Sequence, residues 1–256
     1  MSRFLLLLAA VSGLGAAPPA RHWAFLPPHR PRVPAADGAR NPLDAFHRER
    51  LAKAGLVPAP DAERAVLLRR LSFSLTGLPP APDDPFLADA RPDAWERLAD
   101  RLLASPAFGE RWATHWLDVA RFSETNGYEA DAERPQAWRY RDWVAEALNA
   151  DLPYPDFIAA QVAGDLLAKG DRKLLVTAGF NRAGPIHQVS GNIDPLEIRH
   201  ELLDEMTAGI GSAFLGITLG CARCHDHKFD PVSQEDYFRM EAFFSRAKPA
   251  EIALAG

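Results

Sequence analysis

From Asn41 onward, apolar residues recur every three or four positions, and no set of runs alternates with period two. That pattern predicts a chain of amphipathic helices and an all-α, irregular multi-helix globular fold. Asn41-Pro42 opens the first helix with an Asn cap and a Pro in the first turn, and it brings Leu43, Phe46, Leu51 and Leu56 near one face. A second helix is expected over about 61–75, stopped by Thr76-Gly77-Leu78-Pro79-Pro80. Asp93-Ala94-Trp95-Glu96 has the spacing of a capping box for a third helix ending near Ala104. Ser105-Pro106 caps a fourth, which carries Trp112, His115, Trp116 and Leu117. Further helices are expected over about 135–149 and 154–167. Asp194-Pro195-Leu196-Glu197 combines a cap, a Pro at the first position and a box acid, and begins a long helix reaching about Leu215. Ser233-Gln234-Glu235-Asp236 opens the last helix, through Tyr237, Phe238, Met240 and Phe243-Phe244.

The first forty residues follow other rules. Arg3 precedes an apolar run from Phe4 to Val11 and a small-residue stretch ending at Ala17, the layout of a secretory signal peptide over 1–17. The run is too short for a stable membrane anchor, and no later segment is apolar enough to span. Residues 18–40 are rich in proline and read as an extended segment, expected to lie across the body through Trp23 and Phe25. The helical domain is then 41–247, with 248–256 as a tail. The expected location is periplasmic or extracellular.

Composition changes this picture little. With 256 residues, 47% hydrophobic, 25% charged and a net charge of -5, the chain is an ordinary globular protein. Mild acidity and the lack of a basic stripe with interleaved aromatics give no reason to expect nucleic acid.

Chemistry concentrates in one place. The two cysteines of the chain are Cys221 and Cys224, and His225 follows at once. Cys-x-x-Cys-His is the spacing that attaches a c-type haem: two thiols add to the two vinyl groups, and the histidine becomes the proximal iron ligand. Covalent haem c also fits an export signal, because attachment takes place outside the bacterial cytoplasm. A Cys221–Cys224 disulfide, a zinc half-site and a redox dithiol share the same spacing. For a sixth ligand, Met206 and His115 are the foremost candidates, with Met240, His187 and His200 behind them. A His/Met pair would make a high-potential carrier, and an open position would permit catalysis or gas binding. Asp226, His227 and Asp230 crowd the motif and read as support for the proximal imidazole, as a polar loop, or as a separate metal site. The aromatic residues Phe229, Tyr237, Phe238, Phe243 and Phe244 are placed in sequence to wall one side of a haem or to form core.

The run from Gly220 to Gln234 resembles the signature of the planctomycete cytochrome C-like family, secreted domains of unknown function. So do Leu75-Thr76-Gly77-Leu78-Pro79-Pro80, the run Gly109 to Asp118, Thr125-Asn126-Gly127-Tyr128-Glu129, and Ala163-Gly164-Asp165-Leu166-Leu167. The resemblance covers roughly 41–244 and implies an exported, mainly helical protein with covalent haem, but no reaction. It also implies companion secreted domains. Here the leader runs almost directly into the domain and little follows the last helix, so a short member or a fragment is expected.

Other clusters carry weaker expectations. Asp118 and Arg121 lie three apart and can pair. Glu129, Asp131, Glu133 and Arg134 read as a loop that lines a cleft, followed by Tyr140, Arg141 and Asp142 at a helix start. Gly-x-Ser-x-Gly and His-Glu-x-x-His are both missing, which removes the common serine-hydrolase and zinc-protease signatures. The sequence therefore reads as an exported haem protein that passes electrons to an unidentified redox partner. A secreted binding or scaffold module with a disulfide, and a haem enzyme with an open sixth position, are the alternatives.

Overall fold

The computed structural model describes residues 23–128, 130–187 and 194–249. The signal-peptide segment, Glu129 and most of the tail lie outside the described residues. Among the described residues there are helices and one isolated bridge, Thr125 to Glu133, and no strand, as the periodicity predicts.

The chain divides into two compact units, Met1–Asp61 and Ala62–Gly256. The first holds α1 (Pro42–Lys53), started by Asn41, whose side chain accepts from the Asp44 amide at 2.9 Å. Its buried residue is Ala45; Leu43 is exposed, so the expected apolar face is displaced. Trp23 is 77% exposed.

The second unit contains α2 (Arg64–Thr76), α3 (Ala94–Leu103), α4 (Pro106–Val119), α5 (Trp138–Asn149), α6 (Tyr154–Leu167), α7 (Arg172–Thr177), α8 (Pro195–Ile210) and α9 (Gln234–Ala242). Most starts follow the sequence signals. Ser105, Asp194 and Ser233 each accept from an amide of the first turn, and Ser233 with Asp236 completes a capping box. Asp93 does start α3, but without a side-chain cap: its backbone lies at φ -93, ψ 13, outside the extended region a capping side chain requires. Gly77 stops α2 in the left-handed conformation, at φ 70. The long helix expected to reach Leu215 is α-helical only to Ile210 and widens into a π-turn over Gly211–Leu215.

The main core lies where α4, α5, α6 and α8 meet. Gly109 lets α4 approach α5 closely: a Cβ there would sit 2.4 Å from the Ala145 carbonyl oxygen. Asn149 pins that crossing, accepting from the Gly109 amide at 2.8 Å and donating to the Pro106 carbonyl at 3.1 Å. Val144, Phe180, Phe157 and Met206 are buried in this core, and Trp116 packs on Phe157, Phe180 and Phe214. A smaller cluster of Leu68, Phe86, Ala94 and Leu98 joins α2 to α3. A third, of Leu219, Ala222 and Tyr237, underlies the cysteine motif.

Candidate functional site

The cysteine motif sits in a 3-10 turn, Leu219–Arg223, reached from α8 through the π-turn and Gly216. With three residues per turn, side chains three apart share a side. Leu219 and Ala222 therefore point inward together, 4% and 0% exposed, against Tyr237 of α9. Cys221 and Cys224 share the other register, and both are exposed free thiols.

Polar bonds fix this turn from three directions. Asp204 of α8 takes the Arg223 guanidinium at 3.0 Å and also accepts from the Tyr237 hydroxyl. Burial, reinforced by Asp204, pushes the Tyr237 phenol up, so it stays a neutral donor. Gln234 at the start of α9 donates from its side chain to the Arg223 carbonyl at 2.9 Å, and its amide donates to the Asp226 carboxylate at 2.8 Å. The His227 amide donates to the Val232 carbonyl at 2.8 Å, closing the loop between motif and helix.

The two histidines of the motif have different roles. His227 Nδ1 accepts from the Asp230 amide at 2.8 Å, so its proton lies on Nε2, which donates to Thr218 Oγ1 at 3.0 Å. With both nitrogens engaged and a side chain 5% exposed, His227 holds the loop. His225 is exposed, and its Nδ1 lies 2.8 Å from the Asp226 carbonyl oxygen. A carbonyl can only accept, so Nδ1 carries a proton, and in the neutral ring Nε2 keeps its lone pair. This is the second bond that a metal-ligating imidazole ordinarily makes. The Asp226 side chain, meanwhile, is committed to α9, and Asp230 lies beside His227 with its carboxylate 3.3 Å from Nδ1.

The remaining candidates are dispersed. Asp204, Ala208 and Gly211 form the face of α8 that meets Arg223, Gly220 and Leu219. Met206 lies roughly 180° round the helix from that face at about 100° per residue, and is buried in the main core. His200 shares the Asp204 face one turn earlier and is exposed. Met240 packs on the inner side of the turn with Ala222. His115 is exposed on α4, edge-on to Trp112 at 5.6 Å. His187 stacks on Tyr128 at 4.2 Å and contacts Glu201 at 2.9 Å. Tyr237 and Phe244 are core, whereas Phe229 and Phe243 are each 83% exposed. Among the described residues, no three His, Cys, Asp or Glu side chains converge as a ligand set for a metal ion.

The loop before α5 is held by Arg134. Its Nε donates to Asn126 Oδ1 at 2.6 Å, and its terminal nitrogens donate to the carbonyls of Arg182, Ala183 and Gly184 at 2.7–3.0 Å. Arg121 does not pair with Asp118; it adopts φ 58 and forms an ion pair with Glu205 of α8. Asp131 accepts from the Gly127 amide at 3.0 Å, which makes it a turn residue. Of the loop residues expected to line a cleft, Arg134 lines one of about 840 Å³; Asp131 and Glu133 are not among its lining residues, and Glu129 lies outside the described residues.

Residues 42–249 match the model of the family PSCyt2, described as a protein of unknown function (DUF1549). The chain belongs to this family. No curated protein and no solved structure gives a match. Among the described residues of this PSCyt2 member, no helix is long and apolar enough to cross a membrane. Sequence reasoning found the motif but missed Asp204, Thr218 and Tyr237 as its anchors. Asp204 looks like any helix acid, and its link to Arg223 spans nineteen positions.

Proposed function

We propose that this chain is an exported protein that carries covalent haem c on Cys221 and Cys224, with His225 as proximal ligand, and exchanges electrons with a partner protein. The observation that carries the reading is the contact of His225 Nδ1 with the Asp226 carbonyl, which leaves Nε2 of the neutral ring with its lone pair, next in sequence to the exposed Cys224. Bound there, haem c would supply a one-electron centre. The protein's own part is to present Cys221 within the 3-10 turn and Cys224 at its end, to fix the imidazole through a backbone carbonyl, and to brace the turn at Arg223 on Asp204. Phe229 and Phe243 put apolar rings at the surface on the segments that follow the motif.

Two other readings each have an observation in their favour. Exposed paired thiols in an oxidising compartment favour a disulfide, which would make the chain a binding or scaffold module. Met206, turned toward the core, favours a haem enzyme with an open sixth position. Intact-mass measurement after expression in an exporting host with haem-attachment machinery separates the first from the rest. The haem reading expects an added haem mass that disappears in Cys221→Ser/Cys224→Ser. A mass lower by two hydrogens, with no haem, would establish the disulfide module. Carbon monoxide binding to the reduced haem protein would point to the open position, and refusal to a closed electron carrier.

A further inference from the structure

The cleft of about 840 Å³ lies on the side of α8 away from the cysteine motif, because Met206 lines it while Asp204 and Ala208 face the 3-10 turn. Its volume is that of a small-molecule site. Phe122, Tyr140 and Met206 supply an apolar floor. Around them stand Arg134, Arg139, Arg182 and Lys248, with Asp165 as the one acidic lining residue among the described residues, on a chain whose net charge is -5.

We infer that this cleft binds a small organic anion, a carboxylate or phosphate group carried on an apolar body. Arg134 is the fixed charge of the site. All of its bonds among the described residues go to an amide and to carbonyls, so no carboxylate neutralises it. Burial first, and Arg182 second, hold its guanidinium below the usual value, the mark of a cation held with too little solvent and too much like charge. A bound anion relieves both. Two further cations line the cleft. Arg139 engages Gln136 through Nε at 2.8 Å and lies over the Trp138 ring, leaving its terminal nitrogens without a protein partner among the described residues. Lys248 likewise has none, and Arg199 sets its position by donating to the Ala247 carbonyl at 2.6 Å.

Calorimetric titration of the full chain with phenyl phosphate, benzoate and benzyl alcohol tests this independently of haem. At least one of the two anions should bind at least tenfold more tightly than the alcohol, and which one wins identifies the headgroup. Arg139→Glu/Lys248→Glu should weaken that anion at least tenfold at an unchanged melting temperature. If that variant melts early, Arg139→Gln/Lys248→Gln should still weaken it several-fold. Binding of the alcohol equal to the anions, no anion binding at millimolar concentration, or anion binding undiminished in a folded variant would overturn the proposal.

Discussion

Around Trp116 the polar side chains turn inward, and around Ala222 they turn outward. In the core, Trp116 Nε1 donates to Gln161 Oε1 at 2.7 Å, Tyr140 donates to the same oxygen at 2.6 Å, and Gln161 returns its amide to the Phe157 carbonyl at 3.0 Å. Gln161 is fully buried, and burial pushes the Tyr140 phenol up, so the network stays neutral. At the cysteine turn the bonds run mostly through backbone and exposed side chains, with Tyr237 and His227 as the buried exceptions, and among the described residues no hydrogen bond engages the two thiols or His225 Nε2. The core uses hydrogen bonds to exclude water and fix helix positions. The turn uses them to hold a presented surface still. Stability and chemistry are therefore separable in this protein, and damage to one should spare the other.

Phe180→Ala offers the largest test of that separation. The ring is fully buried against Trp116 and Phe214, so its removal should cost about 3–5 kcal/mol in urea unfolding. Thiol labelling of Cys221 and Cys224 in the still-folded fraction should keep its wild-type rate; a changed rate would join the two regions. Gln161→Leu comes next. It leaves the Tyr140 hydroxyl without its acceptor and should cost about 1–3 kcal/mol, again without altering the thiols.

At the turn, smaller changes separate backbone from side-chain support. Asp226→Ala removes the acceptor for the Gln234 amide and should cost about 1 kcal/mol in α9. The ring-nitrogen resonances of His225 should not move, since Nδ1 rests on the carbonyl of that residue. Movement would assign the orientation of His225 to the carboxylate. The smallest effect is in pH. The Ser233 hydroxyl, with its amide, holds the Asp236 carboxyl below its ordinary value. A lowered folded-state pKa means its contribution is present above the unfolded-state pKa of about 4 and is lost as pH falls through the folded value. Thermal melts of Ser233→Ala should show less acid loss than wild type below about pH 4.

Local signals made much of this fold legible. Ser105-Pro106, Asp194-Pro195 and Ser233 mark helix starts because capping is a contest among neighbouring residues. α7 was not anticipated, since six residues are too few for a periodic face to show. The π-turn after Ile210 was hidden as well. It depends on Gly211 meeting Leu219, a contact the local pattern does not contain. At the site, the motif names the thiols and His225, but the division of labour between His225 and His227 depends on Thr218 and the Asp230 amide. Two histidines separated by one aspartate look alike in sequence. Only packing shows that one is locked and the other presented. The cleft follows the same rule: Arg134 was visible as a loop residue, while its carbonyl partners lie 48–50 positions away.

The most direct test is a pyridine haemochrome spectrum of the acid–acetone-extracted protein, made in an exporting host with haem-attachment machinery. The account predicts a c-type band that survives extraction and vanishes in Cys221→Ser/Cys224→Ser. An extracted protein with no band, and with Cys221 and Cys224 oxidised to each other, would contradict it.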